Sequence, residues 1–263
     1  MQFVAPYHLV SGDNLAVHFH LDHLADLRAS GLNDETIRAA GVYSLKPGGR
    51  SGDKDKRSPH PISPGFINFF SRTPKELVSA LCFPYQGGEF ARIKLFPAVG
   101  KMKYAQPPKT GARLYIPLPV DGRSVIVCEG EKKTLAAHQA GLNAVGIGGV
   151  WNWLSRGELI ADLNLIRWDG REVTIIPDSD VFQRVDLLRA IYALGRELQS
   201  QGANVYVAQI PQRGDVKVGL DDFIVAGGAV DRLEVFSLSH RVFKSGEHWH
   251  GRWKFKKALK AAA

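Results

Sequence analysis

VIVCEGEKKTLAAHQAGLNAVGIGGV, residues 125–150, decides the fold. An apolar run ends at Cys128 and passes directly into Glu129-Gly130-Glu131. A helical stretch, KKTLAAHQA, follows, and then a second apolar run, NAVGIGG. Near-continuous apolar strands joined through helices belong to a parallel sheet covered on both faces, because such strands are buried on either side. The alternation continues downstream. EVTIIPD (172–178) precedes DLLRAIYALGRELQSQG, NVYVAQI (204–210) precedes LDDFIVAGG, and a further helix is expected around WLSRGELIADL (153–163). The fold class is therefore α/β, with a parallel sheet and flanking helices.

In such sheets ligands sit at the carboxyl ends of the strands. Glu129 occupies the exit of the first strand, Asp178 and Asp180 follow the third, and Asp221 and Asp222 follow the fourth. Carboxylates gathered at one edge repel one another unless a divalent cation neutralises them. Oxygen donors at Asp-x-Asp spacing suit Mg2+ or Mn2+, which keep waters and bind phosphate oxygens. A lone Asp-x-Asp is more often a cap or a turn. The specific signal is the ordered set: strand-Glu-Gly, strand-Asp-x-Asp, Gly-x-Asp-Asp.

Charge is distributed unevenly around this stretch. Residues 1–120 carry 15 basic and 9 acidic side chains (net +6), residues 121–238 carry 12 and 16 (net −4), and residues 239–263 carry 7 and 1 (net +6). An acidic centre between basic flanks is the distribution expected of a metal-carboxylate site inside a nucleic-acid binder; ordinary variation on solvated faces gives it too. No apolar run reaches the ~18–20 residues that span a bilayer. The N-terminus lacks the basic and apolar regions of a secretory signal. Two cysteines, Cys82 and Cys128, exclude a disulfide framework and suit a cytoplasmic protein without membrane partners.

Five segments are expected. Residues 1–45 form an N-terminal helical segment, in which Leu21, Leu24 and Leu27 share a face, Gly31 ends the first helix, and Asn33 or Asp34 caps a second with Ile37 inward. Residues 46–65, rich in Gly, Pro, Ser and charge, read as a flexible basic loop. Residues 66–120 form a smaller β-rich segment, residues 121–238 the α/β domain, and residues 239–263 a basic aromatic tail. The tail interleaves Phe243, Trp249, Trp253 and Phe255 with cations. That suits single-stranded nucleic acid, and equally a short helix packing its aromatics on the domain.

The ordered carboxylate set resembles the Toprim domain of bacterial replicative primases, topoisomerases and several nucleases, over residues 123–230. The resemblance implies that Glu129 is catalytic and that Asp178 and Asp180 bind divalent metal, with Asp221 or Asp222 behind them. The middle residue of the acidic triplet, usually Gly in that family, is here Ser179. Upstream, Lys103-Tyr104-x-x-Pro107 and Arg113-Leu114-Tyr115 are similar to the basic stretch that lies close to the active site in bacterial primases. EGEKK and GGVWNW look like those of primase-like proteins of plasmids, phages and integrated elements.

These likenesses imply a primase-like nucleotidyltransferase that makes primers on single-stranded DNA from nucleoside triphosphates. Lys94, Lys101, Lys103 and Arg113 would hold template or triphosphate, and one of Lys132 and Lys133 would contact a phosphate. Two cysteines cannot build the zinc-binding domain that recognises template in replicative primases, and no Walker-type phosphate loop occurs. A partner such as a replicative helicase is therefore expected. A Toprim nuclease using the same carboxylates, and a non-catalytic nucleic-acid adaptor for a helicase, are the rivals. Gly146-Ile-Gly-Gly149 is not a dinucleotide fingerprint, since Trp151 stands where its last glycine belongs; it reads as a tight turn with close backbone approach. His18, His20 and His23 read as surface or half-buried histidines, and Trp151 and Trp153 as core aromatics.

Overall fold

The computed structural model describes residues 15–45, 69–70, 72–155, 157–212 and 214–251. The basic loop expected at 46–65, the first 14 residues, and Trp253 and Phe255 of the tail lie outside the described residues. The chain divides into two compact units, 1–111 and 112–263.

In the first unit three short helices, α1 (Leu15–His18), α2 (Leu21–Ala29) and α3 (Asp34–Ala39), precede strands β1 (Tyr43–Leu45), β2 (Ser79–Pro84), β3 (Ala91–Val99) and β4 (Met102–Ala105). Asn33 caps α3, its side chain accepting the Thr36 amide at 2.8 Å. Gly31 leaves α2 in the left-handed region, φ 73°. Leu27 and Ile37 are buried as expected, whereas Leu21 is 73 % exposed. The buried partner of Leu27 on α2 is His23, which sits between the Ser44 and Ser79 hydroxyls at 2.8 and 2.9 Å. Burial, and secondarily His20, pushes its imidazole down to about 4, so it is a neutral structural histidine. The strands form an antiparallel sheet in the order β1-β2-β3-β4, over a core of Tyr43, Leu45, Leu77, Cys82, Ile93 and Leu95.

The second unit contains a six-stranded mixed sheet. Its strands are β5 (Leu114–Tyr115), β6 (Ser124–Glu129), β7 (Ala144–Ile147), β10 (Glu172–Ile176), β11 (Asn204–Gln209) and β12 (Glu234–Ser237), in the order β12-β11-β10-β6-β7-β5. The four central strands are parallel. Both edges are antiparallel, β12 on β11 and β5 on β7, so the expected all-parallel sheet is parallel only at its centre. Leu114-Tyr115 belongs to this sheet, which places the 112–120 stretch with the α/β unit.

Alternation along the central strands feeds two cores. Val125, Val127, Val173, Ile175, Val205 and Val207 face one side, under Leu188, Ile191, Leu194 and Leu198 of α5 (Val185–Ser200). Ile126, Cys128, Ile176 and Ala208 face the other, under Ala137 of α4 (Glu131–Gln139) and Leu220 of α6 (Leu220–Val225). The helix expected at 153–163 is absent. A small hairpin, β8 (Leu154–Ser155) with β9 (Glu158–Leu159), turns at Gly157, φ 84°, and a 3-10 turn follows at Ala161–Leu165. Among the described residues no helix is long and apolar enough to cross a membrane.

Gly146 shows why the glycine-rich run is there. It lies within β7, and a Cβ on it would come 2.3 Å from Thr134 Oγ1 and 3.2 Å from the Gly130 carbonyl. The Thr134 hydroxyl donates to that carbonyl at 2.8 Å, so α4, β7 and the residue after Glu129 are packed without room for a methyl. Gly146→Ala should destabilise the unit by about 2 kcal/mol, read as a lower midpoint in urea unfolding at unchanged slope.

Candidate active site

Residue Cys128 of β6 pairs with Ile176 of β10 on one side and Gly146 of β7 on the other. The three strands therefore end at one level. Glu129 is the last residue of β6, and Asp178 stands two residues beyond the end of β10. Gly130, at φ 93°, lets the chain turn at once into α4. Strand register thus brings Glu129 and the Asp178 loop to one edge of the sheet.

Two lysines join them. Lys133, in the first turn of α4, places Nζ 2.5 Å from Asp178 Oδ1, and Lys217 places Nζ 2.5 Å from Asp178 Oδ2 and 3.9 Å from Asp180 Oδ1. Asp178 is 1 % exposed, so both of its oxygens are enclosed between ammonium groups. Arg184 approaches the far oxygen of Asp180 at 3.7 Å. Glu129 has its carboxyl pushed above the ordinary carboxylate range, first by burial and next by the charge of Asp178. Lys133 is raised despite its burial, because Asp178, Glu129 and Asp221 surround it. Lys217 is raised in the same way by its bond to Asp178.

The remaining expected residues separate by role. Asp221 is buried, and its charge reaches Cys128 and Lys133. Asp222 is exposed and caps α6, accepting the Gly219 amide at 3.0 Å. Of the lysine pair opening α4, Lys133 reaches the carboxylates and Lys132 is half-buried. Cys128 is buried beside Thr134, and burial pushes its thiol up to about 12, which makes it unsuited to act as a nucleophile. Sequence reasoning missed Lys217. It stands in the loop after the fourth parallel strand, two residues before Gly219, where the strand-exit argument that flagged Asp221 applied equally.

The hard oxygen donors of Glu129, Asp178, Asp180 and Asp221 fit a divalent cation. Both Asp178 oxygens and Asp180 Oδ1 are sealed from solvent, and the Asp178 oxygens are held by the two ammonium groups, one of which an entering cation would displace. The donors are not preassembled: among the described residues no three His, Cys, Asp or Glu side chains already converge on one metal position.

The basic residues of the first unit divide similarly. Arg92 and Lys94 share a face of β3, as alternation predicts. Lys94, however, is engaged by Asp26 at 2.5 Å, and Arg92 lies 5.0 Å over the ring of Tyr104. In the second unit Arg113 is bound to Asp162 at 2.9 Å, which also accepts the Leu114 amide and so anchors β5. These pairs account for Lys94 and Arg113 structurally. Lys101 and Lys103 are exposed on the β3–β4 hairpin and carry what remains of the expected ridge. If they contact phosphates, Lys101→Ala with Lys103→Ala should weaken single-stranded DNA binding equally for all sequences and lower the log–log salt slope by ~0.7 per lost contact. An unchanged slope would remove the ridge. In the tail, Phe243 is buried in the α/β core and Trp249 packs against it, edge-on to Trp151 at 5.4 Å. Those two tail aromatics are therefore packing residues. Trp153 is buried, and Trp151 is 37 % exposed.

A protein family described as a domain of unknown function (DUF3854) matches residues 120–230. No curated protein sequence matches the chain. Solved structures do. The zinc-binding and RNA polymerase domains of the Aquifex aeolicus primase are similar with a TM-score of 0.57 at 15 % identity, over 82 % of this chain and 57 % of that one. The catalytic domain of DnaG primase bound to single-stranded DNA is similar with a TM-score of 0.52 at 15 % identity, over 88 % and 77 %. The DnaG catalytic core is similar with a TM-score of 0.50 at 18 % identity, over 79 % and 69 %. The chain thus spans little more than half of the first of these proteins. The fold is that of a primase catalytic core.

Proposed function

We propose that this chain is a primase-like nucleotidyltransferase, dependent on Mg2+ or Mn2+, that makes primers on single-stranded DNA. Its α/β unit is read as a Toprim domain, and its setting as the replication of a plasmid, phage or integrated element. The observation that carries the reading is the meeting of Glu129, Asp178, Asp180 and Asp221 at one sheet edge, in a chain with a primase-core fold. The order of these residues along the chain, EGEKK and GGVWNW support the finer assignment.

Asp178, Asp180 and Glu129 are the residues that would hold the cation, with Asp221 behind them. Bound there, a divalent cation supplies charge stabilisation to the attacking and leaving oxygens of phosphoryl transfer. Glu129, with its raised carboxyl, suits taking the proton from the attacking hydroxyl. Lys133, fixed against Asp178 at 2.5 Å, keeps that carboxylate oriented. Lys101 and Lys103 would attract the template backbone, and a helicase or another template-binding partner would supply recognition.

The test is a product assay. Incubated with single-stranded DNA, ribonucleoside triphosphates and Mn2+, with or without a replicative helicase, the protein should yield short complementary oligoribonucleotides. Shortened DNA strands without synthesis would replace this reading with a metal-dependent nuclease. Binding without either product would replace it with an adaptor.

A further inference from the structure

The acidic triplet carries Ser179 where the resembling family usually has glycine, and the structure gives this serine a contact that glycine could only half make. The Ser179 amide donates to the Val218 carbonyl at 3.0 Å, and the Ser179 hydroxyl accepts the Val218 amide at 2.8 Å. Ser179 is 2 % exposed, so neither bond competes with water. This two-way clamp ties the acidic loop to a segment 39 residues further along. Immediately before Val218 stands Lys217, whose ammonium lies against Asp178 and Asp180. On the other side of Val218 is Gly219, where a Cβ would meet Lys133 Cε at 2.5 Å. The clamp therefore fixes a three-residue segment that aims one lysine and leaves space for the other.

The two lysines are not equivalent. The Lys133 side chain is 20 % exposed and that of Lys217 is 51 % exposed. Lys133 is confined. Lys217 has a solvated stem and can withdraw without leaving a buried charge. It is the partner that can be exchanged.

We infer that Lys217, positioned by the Ser179–Val218 clamp, is a built-in counter-cation of the site: it holds Asp178 and Asp180 while no metal is bound, yields Asp178 Oδ2 to an entering divalent cation, and then pairs with a phosphate of the nucleoside triphosphate. The inference rests on the metal reading above. A divalent cation and an ammonium on one carboxylate oxygen repel each other, so metal entry favours Lys217 withdrawal. The withdrawn ammonium remains tethered beside the carboxylates to which the metal would bring phosphate oxygens. Ser179 is a positioning residue, and Lys217 a ligand-exchange residue.

The test is calorimetric titration of Mn2+, and then of ATP in saturating Mn2+, into the full chain and four variants. Lys217→Ala should bind Mn2+ about tenfold more tightly and ATP about tenfold more weakly. Lys217→Gln, which retains the stem, should do the same and guards against a folding defect. Ser179→Ala keeps the lysine charge and removes only the hydroxyl tether. It should shift both affinities in the same opposed directions by a smaller factor, and Ser179→Thr should restore them. A general field effect would leave Ser179→Ala at wild-type affinity, and that result overturns the inference. So does Mn2+ affinity that is equal or weaker in both Lys217 variants. If neither wild type nor any variant binds Mn2+, the metal reading fails and the inference fails with it, a pattern distinct from the other two.

Discussion

Glu129→Gln should reduce primer synthesis by roughly 10^3-fold, in the range general-base groups contribute, while making the metal-free protein more stable. Glu129 is half-buried at the end of β6, facing Asp178. Burial first, and the Asp178 charge second, raise its carboxyl above the ordinary value. The folded state therefore binds this proton more tightly than the unfolded state. The stability that Glu129 contributes is complete when it is protonated, below the unfolded value, and is lost as pH rises through the raised folded value. Above that window, placing a charge on Glu129 opposes folding. Gln keeps the shape and removes the charge, so the metal-free melting temperature should rise by ~2–4 °C at neutral pH, and the difference should vanish on acidification below the ordinary glutamate value of ~4.3. Saturating Mn2+ should narrow or reverse the difference, because the wild type alone keeps its full set of metal donors. A residue that opposes folding where it is needed for chemistry is the expected signature of a functional site. Melting temperatures that coincide at every pH would show that Glu129 is an ordinary strand-end residue.

The carboxylates were legible because their placement follows from two local facts. Apolar runs define where strands end, and ligands gather at the carboxyl ends of parallel strands. Glu129, Asp178 and Asp221 could be placed without knowing a single contact. What could not be read depended on residues distant in sequence. Lys217 is one cation among many until the Ser179–Val218 clamp puts it on Asp178. Lys94 and Arg113 are indistinguishable from free surface cations until Asp26 and Asp162, at separations of 68 and 49 residues, take them up. His23 reads as polar until Ser44 and Ser79 close around it. The error at 153–163 has a different cause. Trp153, Ile160 and Leu163 are all buried, which gives a sequence spacing that mimics a helix, but Gly157 turns a hairpin between them. Strand β12 lacked a pattern to find, since it is an edge strand whose residues are largely exposed.

Asp178→Ala should cost about 3 kcal/mol of stability, the largest effect expected of any single change at the site. The two lysine partners of Asp178 differ in their freedom to move. Removing Asp178 leaves Lys217 half in water, where it reorients at little cost. Lys133 has no such exit. Its side chain is 20 % exposed, and its stem is packed against Gly219. Glu129 and Asp221 still attract it, but neither replaces a contact at 2.5 Å, so a largely buried ammonium is left undercompensated. The relief of repulsion between Asp178 and Glu129 offsets part of this loss. A double-mutant cycle isolates the pair. Lys133→Met keeps the stem and removes the charge, so the Asp178→Ala, Lys133→Met protein should recover most of the stability that Asp178→Ala loses. If the double variant is no more stable than Asp178→Ala alone, the loss comes from the loop that carries Asp178 and not from Lys133. Asp178→Asn keeps one acceptor oxygen, which can stay on the buried Lys133 while its NH2 turns toward the more exposed Lys217, and should cost less. It should still abolish Mn2+ binding, so the Asn variant separates the metal-holding role of this carboxylate from its structural one.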